Sequence, residues 1–204
     1  MYSSVYVTVQ NYARMSTNTV WQAQSADEAG KLNIMFGNFA KTANIGTELS
    51  ASFRAASWLR LDPNINLFSN AVQGAAFGRE IDEQAFTWTG RLNAICTLSP
   101  ETRIQLTGMY LSRQIGPQST TEPLFYLSVS ARQEFFDRAL ALTLQARNLL
   151  TTAYYDVSTN GSNFSNSFLI KPEVPVVNLT LTYNFNNYRP TRRRDEGVDV
   201  NVGI

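Results

Sequence analysis

The sequence predicts an all-β fold: an antiparallel transmembrane β-barrel wall of about eight strands, forming the C-terminal part of a larger barrel. Three observations predict it. Apolar and polar residues alternate with period two along most of the chain. Short and long connections alternate between the segments. The polar faces carry Ser, Thr, Asn, Gln and scattered Arg rather than the many Lys and Glu residues of a soluble exterior. With 204 residues, 44% hydrophobic and only 16% charged, the chain is poor in charge for a soluble domain.

The N-terminal segments, around Val5, Val7 and Val9 and over 32–36, carry the weakest signal. From there the rule is clearer. Ile45, Leu49, Ala51 and Phe53 oppose Glu48, Ser50, Ser52 and Arg54, and Leu59, Leu61, Ile65 and Leu67 oppose Arg60, Asp62, Asn64 and Asn66. Pro63 has no N–H to donate to a ladder, so a bulge or break is expected at Asp62-Pro63-Asn64. Phe86, Trp88, Leu92 and Ala94 form the next apolar face, followed by Ile104, Leu106, Gly108 and Tyr110. The last three segments are the cleanest. Phe125, Leu127, Val129 and Ala131 are followed by Leu140, Leu142, Leu144 and Ala146, then by Val177, Leu179, Leu181, Tyr183 and Phe185. The residues expected to face lipid are therefore Leu127, Val129, Leu140, Leu142, Leu144, Val177, Leu179, Leu181, Tyr183 and Phe185.

Short turns are expected at 55–57, 99–101 and 136–138, and long polar links over 71–83, 114–122 and 150–173. Tight periplasmic turns and longer extracellular loops distribute in this way. Aromatic residues follow the same division. Trp58, Phe135, Phe136, Tyr183 and Phe185 lie at the short-turn ends, and Phe86, Trp88, Tyr110 and Phe125 approach the long-loop ends, as rings do at two membrane boundaries. The wall is expected over 1–187. Residues 188–204 lose the alternation and read as a flexible tail.

Several function classes are excluded or weakened. No run approaches the ~18 apolar residues of a membrane helix. The first residues lack the charged and apolar regions of a signal peptide. Histidine is absent and Cys96 is the single cysteine, which removes His-dependent triads, imidazole metal sites and thiolate clusters. A net charge of +1 gives no reason to expect nucleic acid. Glu80, Asp82 and Glu83 beside Arg79 read as solvated loop carboxylates. No catalytic residue, metal site or cofactor is expected. The Asn-X-Ser/Thr triplets at Asn160, Asn163 and Asn178 read as chance composition.

The stretches Gly46-Thr47-Glu48-Leu49-Ser50-Ala51-Ser52-Phe53-Arg54, Thr89-Gly90-Arg91-Leu92-Asn93-Ala94, Leu127-Ser128-Val129-Ser130-Ala131-Arg132 and Asn178-Leu179-Thr180-Leu181-Thr182-Tyr183-Asn184-Phe185 resemble the barrel of TonB-dependent receptors of the Bacteroidetes type. The resemblance covers about 40–187 and implies energy-coupled uptake of a scarce solute across the bacterial outer membrane. The partners it implies are outer-membrane lipid, a small solute, and the TonB system acting through an N-terminal plug. Where such barrels commonly carry Asp before Phe-Asn in a late strand, this chain has Asn148 followed by Leu149 and Leu150. Solute recognition would fall to Tyr154, Tyr155, Asn160, Asn163, Phe164 and Asn166 in the longest loop. Two alternatives stay open: a small self-closing barrel acting as adhesin or pore, and a soluble lectin-like β domain.

Overall fold

The computed structural model describes residues 5–76 and 79–185, so the expected tail at 188–204 lies outside the described residues. The strands are β1 (Tyr6–Ala26), β2 (Leu32–Ala56), β3 (Leu59–Ala76), β4 (Arg79–Thr97), β5 (Thr102–Leu111), β6 (Gln114–Ile115), β7 (Ser119–Thr121), β8 (Leu124–Phe135), β9 (Leu140–Arg147), β10 (Tyr155–Asn160), β11 (Ser165–Ile170) and β12 (Val176–Tyr183). Eight of them form one antiparallel meander in the order β1-β2-β3-β4-β5-β8-β9-β12. The other four form a second sheet, β11-β10-β7-β6, inserted into the β5–β8 and β9–β12 connections. Among the described residues the large sheet is open, with β1 at one edge and β12 at the other.

Register decides which side chains share a face, because directly opposed residues point the same way. Leu61, Ala94, Leu106, Val129, Ala146 and Val177 are successive partners across six strands. The row two residues nearer the short turns runs Leu59, Cys96, Ile104, Ala131, Leu144, Leu179. On the opposite face Arg60, Ile95, Gln105, Ser130, Gln145 and Asn178 form one row, and Asp62, Asn93, Thr107 and Ser128 another. A slip of one residue at any seam would transpose the faces beyond it. The expected apolar face is thus one continuous surface.

Aromatic rows bound that surface. Phe135, Leu140 and Tyr183 are partners at the short-turn end, and Gly90, Tyr110 and Phe125 at the other. From Phe125 to Phe135 the chain climbs about 33 Å at ~3.3 Å per residue. Tilted by ~40°, that is about 25 Å, the height of a barrel's apolar band. Rings fill the gaps that glycines leave in the upper row. Trp88 lies beside Gly90, where an added Cβ would come within 3.3 Å of its ring, and it also stacks at 4.5 Å on Tyr110. Beyond Phe86 the same face turns polar, with Gln84 donating to Ser69 Oγ at 3.2 Å and Gln73 donating to Asp82 at 3.1 Å.

Three expectations need correction. The 71–83 link is not a loop: β3 and β4 stay paired out to Ala76 opposite Arg79. The 114–122 and 150–173 links contain β6, β7, β10 and β11. At Pro63 the expected interruption is a break rather than a bulge, and it is confined to one side, since Pro63 pairs with Leu92 in unbroken register on the β4 side. On the β2 side the ladder lapses between Ser50↔Asn64 and Phe53↔Leu61 and then resumes in the same register, so the cost of the missing N–H is local. The last strand ends at Tyr183 rather than Phe185, although the Asn184 N–H still donates to the Ala139 carbonyl at 2.8 Å. The weakest N-terminal segments prove to be the longest strands, β1 with 21 residues and β2 with 25.

Candidate functional site

The second sheet lies against the polar face, the one expected to be the inner face. Asn70 Nδ2 donates to the Ile115 carbonyl at 3.2 Å, and Thr87, fully buried, reaches the Arg113 carbonyl at 3.5 Å. Both residues share a face with Phe68 and Val72, opposite to Phe86. Beneath this cover sits the buried cluster Ala23, Ala40, Val72 and Ile81 with Trp21 packed against it. Trp21 also bounds Gly116, where a Cβ would meet the indole at 3.3 Å, so the β6–β7 turn passes directly over the ring.

Two further contacts tie the cover to the far edge strand. The Gln24 N–H donates to Gln118 Oε1 at 2.8 Å while Gln118 Nε2 donates to the Gln24 carbonyl at 3.1 Å, a reciprocal pair spanning 94 residues of sequence. Asn163 Nδ2 donates to the Ala26 carbonyl at 2.9 Å. The β6–β7 and β10–β11 hairpins therefore reach back from the C-terminal half of the meander to the end of β1. This makes a cap over the long-loop end of the inner face. Replacing Gln118 by Ala removes both bonds of the pair, each worth about 1 kcal/mol net. The expected result is about tenfold faster amide exchange in β6 and β7 with β8 unchanged, measured by hydrogen–deuterium exchange.

The candidate recognition residues lie in this cap but are spread along it. Tyr154 precedes β10, with the Lys171 ammonium 5.9 Å from its ring centre, and Tyr155 opens β10 opposite Ile170. Asn160 closes β10: its N–H donates to the Gln118 carbonyl at 2.8 Å and its Oδ1 accepts from Ser165 Oγ at 2.8 Å. Asn163 and Phe164 form the tip, where the Phe164 ring covers Gly161, and Asn166 pairs with Thr159. Asn160 lines a cavity of about 80 Å³ between Glu83 and the β6–β7 turn. Gln118, Gln24, Asn70 and Trp21, which hold the cap in place, carry no sequence signal of that role.

Below the cap the inner face is a lattice of polar pairs. Tyr12 Oη donates to Asn66 Oδ1 at 3.0 Å, Asn64 Nδ2 to Glu48 Oε1 and Ser50 Oγ, both at 2.7 Å, and Thr107 Oγ1 to Asn93 Oδ1 at 2.9 Å. Tyr12 crosses above Gly46, its direct partner, where an added Cβ would stand 2.6 Å from Phe68 Cβ and 2.8 Å from the phenol oxygen. These side chains find partners while staying partly accessible. Of the acidic group, Asp82 lies on the outer face and Glu83 on the inner, opposite Val72. Among the described residues no cluster of carboxylates or cysteine could hold a metal ion. Among the described residues no helix is long and apolar enough to cross a membrane.

Residues 1–183 match the outer membrane protein beta-barrel family. No curated protein and no solved structure matches the chain.

Proposed function

Because the chain belongs to the outer membrane protein beta-barrel family and so resides in the bacterial outer membrane, we propose that it forms part of the wall of an energy-coupled solute importer of the TonB-dependent receptor type. The observation that carries this reading is the inward cap. An eight-stranded barrel has an interior just wide enough for its own side chains. This inner face must also accommodate a four-stranded sheet. Only a wider barrel provides that room, so the eight strands are one arc of a larger wall. The two edges agree. β1 offers 21 residues and β12 only 8, so pairing them directly would leave more than half of β1 without a ladder partner.

In this reading the apolar face meets lipid. Val177, Leu179 and Leu181 are 61%, 68% and 66% exposed, no element among the described residues covers them, and hydrocarbon would be their solvent. Leu127, Val129, Leu140, Leu142 and Leu144 continue the face inward, while Tyr183 and Phe185, edge to face at 4.7 Å, sit at the periplasmic boundary. The cap hairpins meet the solute from outside, with Tyr154, Tyr155, Asn160, Asn163, Phe164 and Asn166 as its candidate contacts. Energy would arrive from the TonB system through a plug inside the completed barrel. Nothing in such a part calls for an enzyme's chemistry.

Two measurements test the reading. Outer-membrane fractions of producing cells are expected to contain the chain as a heat-modifiable band. A strain lacking it is expected to lose growth on one scarce nutrient among iron chelates, cobalamin and oligosaccharides, and to regain it when the gene is restored. Undiminished growth on every source would sink the importer while leaving the barrel intact.

A further inference from the structure

We propose that the apolar face of β1–β4 holds a glycolipid of the outer leaflet in a fixed seat, with its acyl chain in one groove and its hydroxyl-rich head in a second groove above it. The proposal rests on the reading that this face meets lipid, and not on solute import. The lower groove lies at the upper aromatic boundary. Register aligns Asn11, Thr47, Leu67 and Trp88 in one row and Ala13, Ile45, Ser69 and Phe86 in the next. Ala13, Ile45, Leu67, Ser69 and Phe86 line a groove of about 710 Å³, a volume within the range of small-molecule sites. Ala13 and Ser69 are too small to fill the space beside Ile45 and the Phe86 ring, which is 67% exposed. With the short turns at the periplasmic end, this groove opens to the outer leaflet.

One polar pair interrupts the row that Leu67 and Trp88 continue. Thr47 Oγ1 donates to Asn11 Oδ1 at 2.7 Å, and the Asn11 amide nitrogen has no hydrogen-bond partner among the described residues. An amide at the edge of hydrocarbon costs free energy until an acceptor meets it. The ester or amide carbonyl at the root of an acyl chain is such an acceptor. It would lie at this height when the chain fills the groove.

Lys41, Gln73 and Asp82 stand on the same face, four residues along their strands from Ile45, Ser69 and Phe86, which is about 13 Å at ~3.3 Å per residue. With Asn18, Asn38 and Glu80 they line the second groove, of about 460 Å³. Between the grooves, Ala43 and Ala71 are direct partners on this face, so no large side chain of β2 or β3 divides them. An apolar space below a polar one, on one face at a membrane boundary, fits one amphiphile. The lining selects its head. Carboxamides and carboxylates hydrogen-bond hydroxyls, and two carboxylates against one ammonium in this lining disfavour a bare phosphate. A sugar head is therefore favoured over a glycerophosphate.

The test uses outer membranes of the producing cells, where the chain keeps whatever strands complete its barrel. A photoreactive phenylalanine analogue replaces Phe86, in the lower groove, or Phe125, which is on the same face beside Tyr110 and outside the groove. Irradiation before and after dilution of the membranes into mild detergent, with mass spectrometry of the adducts, separates held lipid from passing lipid. Both positions are expected to give lipid adducts in the membrane. After dilution the glycolipid adduct at Phe86 should persist at tenfold or more the yield at Phe125. Ala13→Trp, which fills the groove, should abolish the persistent adduct. Asn11→Leu should lower it about fivefold, the loss of one hydrogen bond. Val129→Leu, on the same face far from the groove, should leave it unchanged. Equal persistence at Phe86 and Phe125, a persistent phospholipid in place of the glycolipid, or a yield indifferent to both Ala13→Trp and Asn11→Leu would overturn the seat alone. Lipid adducts missing at both positions before dilution would overturn the lipid-facing reading with it. Solute uptake enters no arm of the measurement, so the importer reading stands or falls separately.

Discussion

Val129→Arg is expected to destabilise the folded chain by about 2–4 kcal/mol, the cost of an arginine on the lipid face at mid-bilayer. Val129 stands between Leu106 and Ala146 in the row midway between the two aromatic boundaries. On the proposed lipid face its side chain has no water to reach without deforming the bilayer. Ser130→Arg, one residue along the same strand, introduces the same charge onto the opposite face, between Gln105 and Gln145. There the guanidinium remains hydrated, and the change should be about 0.5 kcal/mol or less. Leu181→Arg supplies the depth dependence. Leu181 is on the apolar face proposed to meet lipid but one row from Tyr183, paired with Leu142, so its arginine can reach the boundary and should cost about 0–1 kcal/mol. Denaturant titrations of the three variants in phospholipid vesicles read all three values. Equal costs for Val129→Arg and Ser130→Arg would mean that the sheet does not separate lipid from water.

The alternation is legible because period two runs through most of β8, β9 and β12, with Gln133 the polar residue on the apolar parity and Leu124 and Val176 apolar residues on the polar one. The N-terminal strands obscure the same rule for a physical reason. β1 and β2 change register between Ser16 and Thr19 and again between Thr19 and Val20, with Asn18 at φ 55°. Below this irregularity Val7 and Val9 share the outer face with Ala51 and Leu49. Above it Trp21 and Ala23 join the inner cluster with Val72 and Ile81. One parity therefore becomes the other within a single strand, and no fixed period describes it. The 71–83 stretch reads as a loop because the outer face of β3 and β4 turns polar there, as the Gln73–Asp82 pair shows, while the apolar residues Val72 and Ile81 fall on the inner face, so the alternation inverts. Beyond the lipid, nothing requires apolar residues outside.

The candidate site was less legible than the wall. β6, β7, β10 and β11 have two to six residues each, too few for periodicity, and their ordering comes from contacts with β1 and β3 about 45 to 137 residues away, such as Asn70 with Ile115 and Asn163 with Ala26. The aromatic and amide residues of the longest loop were identifiable by type, but not their dispersal along a hairpin. The lower groove of the apolar face lies between these extremes. Ile45 and Phe86 each fall on the apolar parity of their own strands, but their place in one row with Ala13 and Ser69 appears only when the register across β1, β2, β3 and β4 is known. Residues that act within one strand can be read from the chain, whereas residues that act between strands need the ladder.

Asn148 is the position where a single residue controls the passage from wall to cap, and Asn148→Val is expected to cost about 2–4 kcal/mol. Asn148 is 3% exposed and adopts φ 50°, a region in which asparagine is tolerated and a β-branched residue is not. Its side chain makes a reciprocal pair: the Ala153 N–H donates to Oδ1 at 3.1 Å, and Nδ2 donates to the Ala153 carbonyl at 3.3 Å. The turn so closed brings Thr152 Oγ1 within 2.7 Å of the Phe125 carbonyl and sets the direction in which β10 leaves β9. Valine strains the backbone and leaves the Ala153 groups unpaired. Asn148→Gly relieves only the strain, and Asn148→Asp keeps the acceptor but loses the donor. The expected order of stability is Asn, then Asp, then Gly, then Val, with aspartate about 1–2 kcal/mol below asparagine for the orphaned carbonyl. Denaturant titration gives the order, and amide exchange locates the effect. Faster exchange should appear in β10 and β11 while β8 and β12 keep their protection, because the large sheet pairs β9 with both of them independently of the turn. Uniform loss of protection across the large sheet would mean that Asn148 supports the wall itself and that cap and wall are a single cooperative unit.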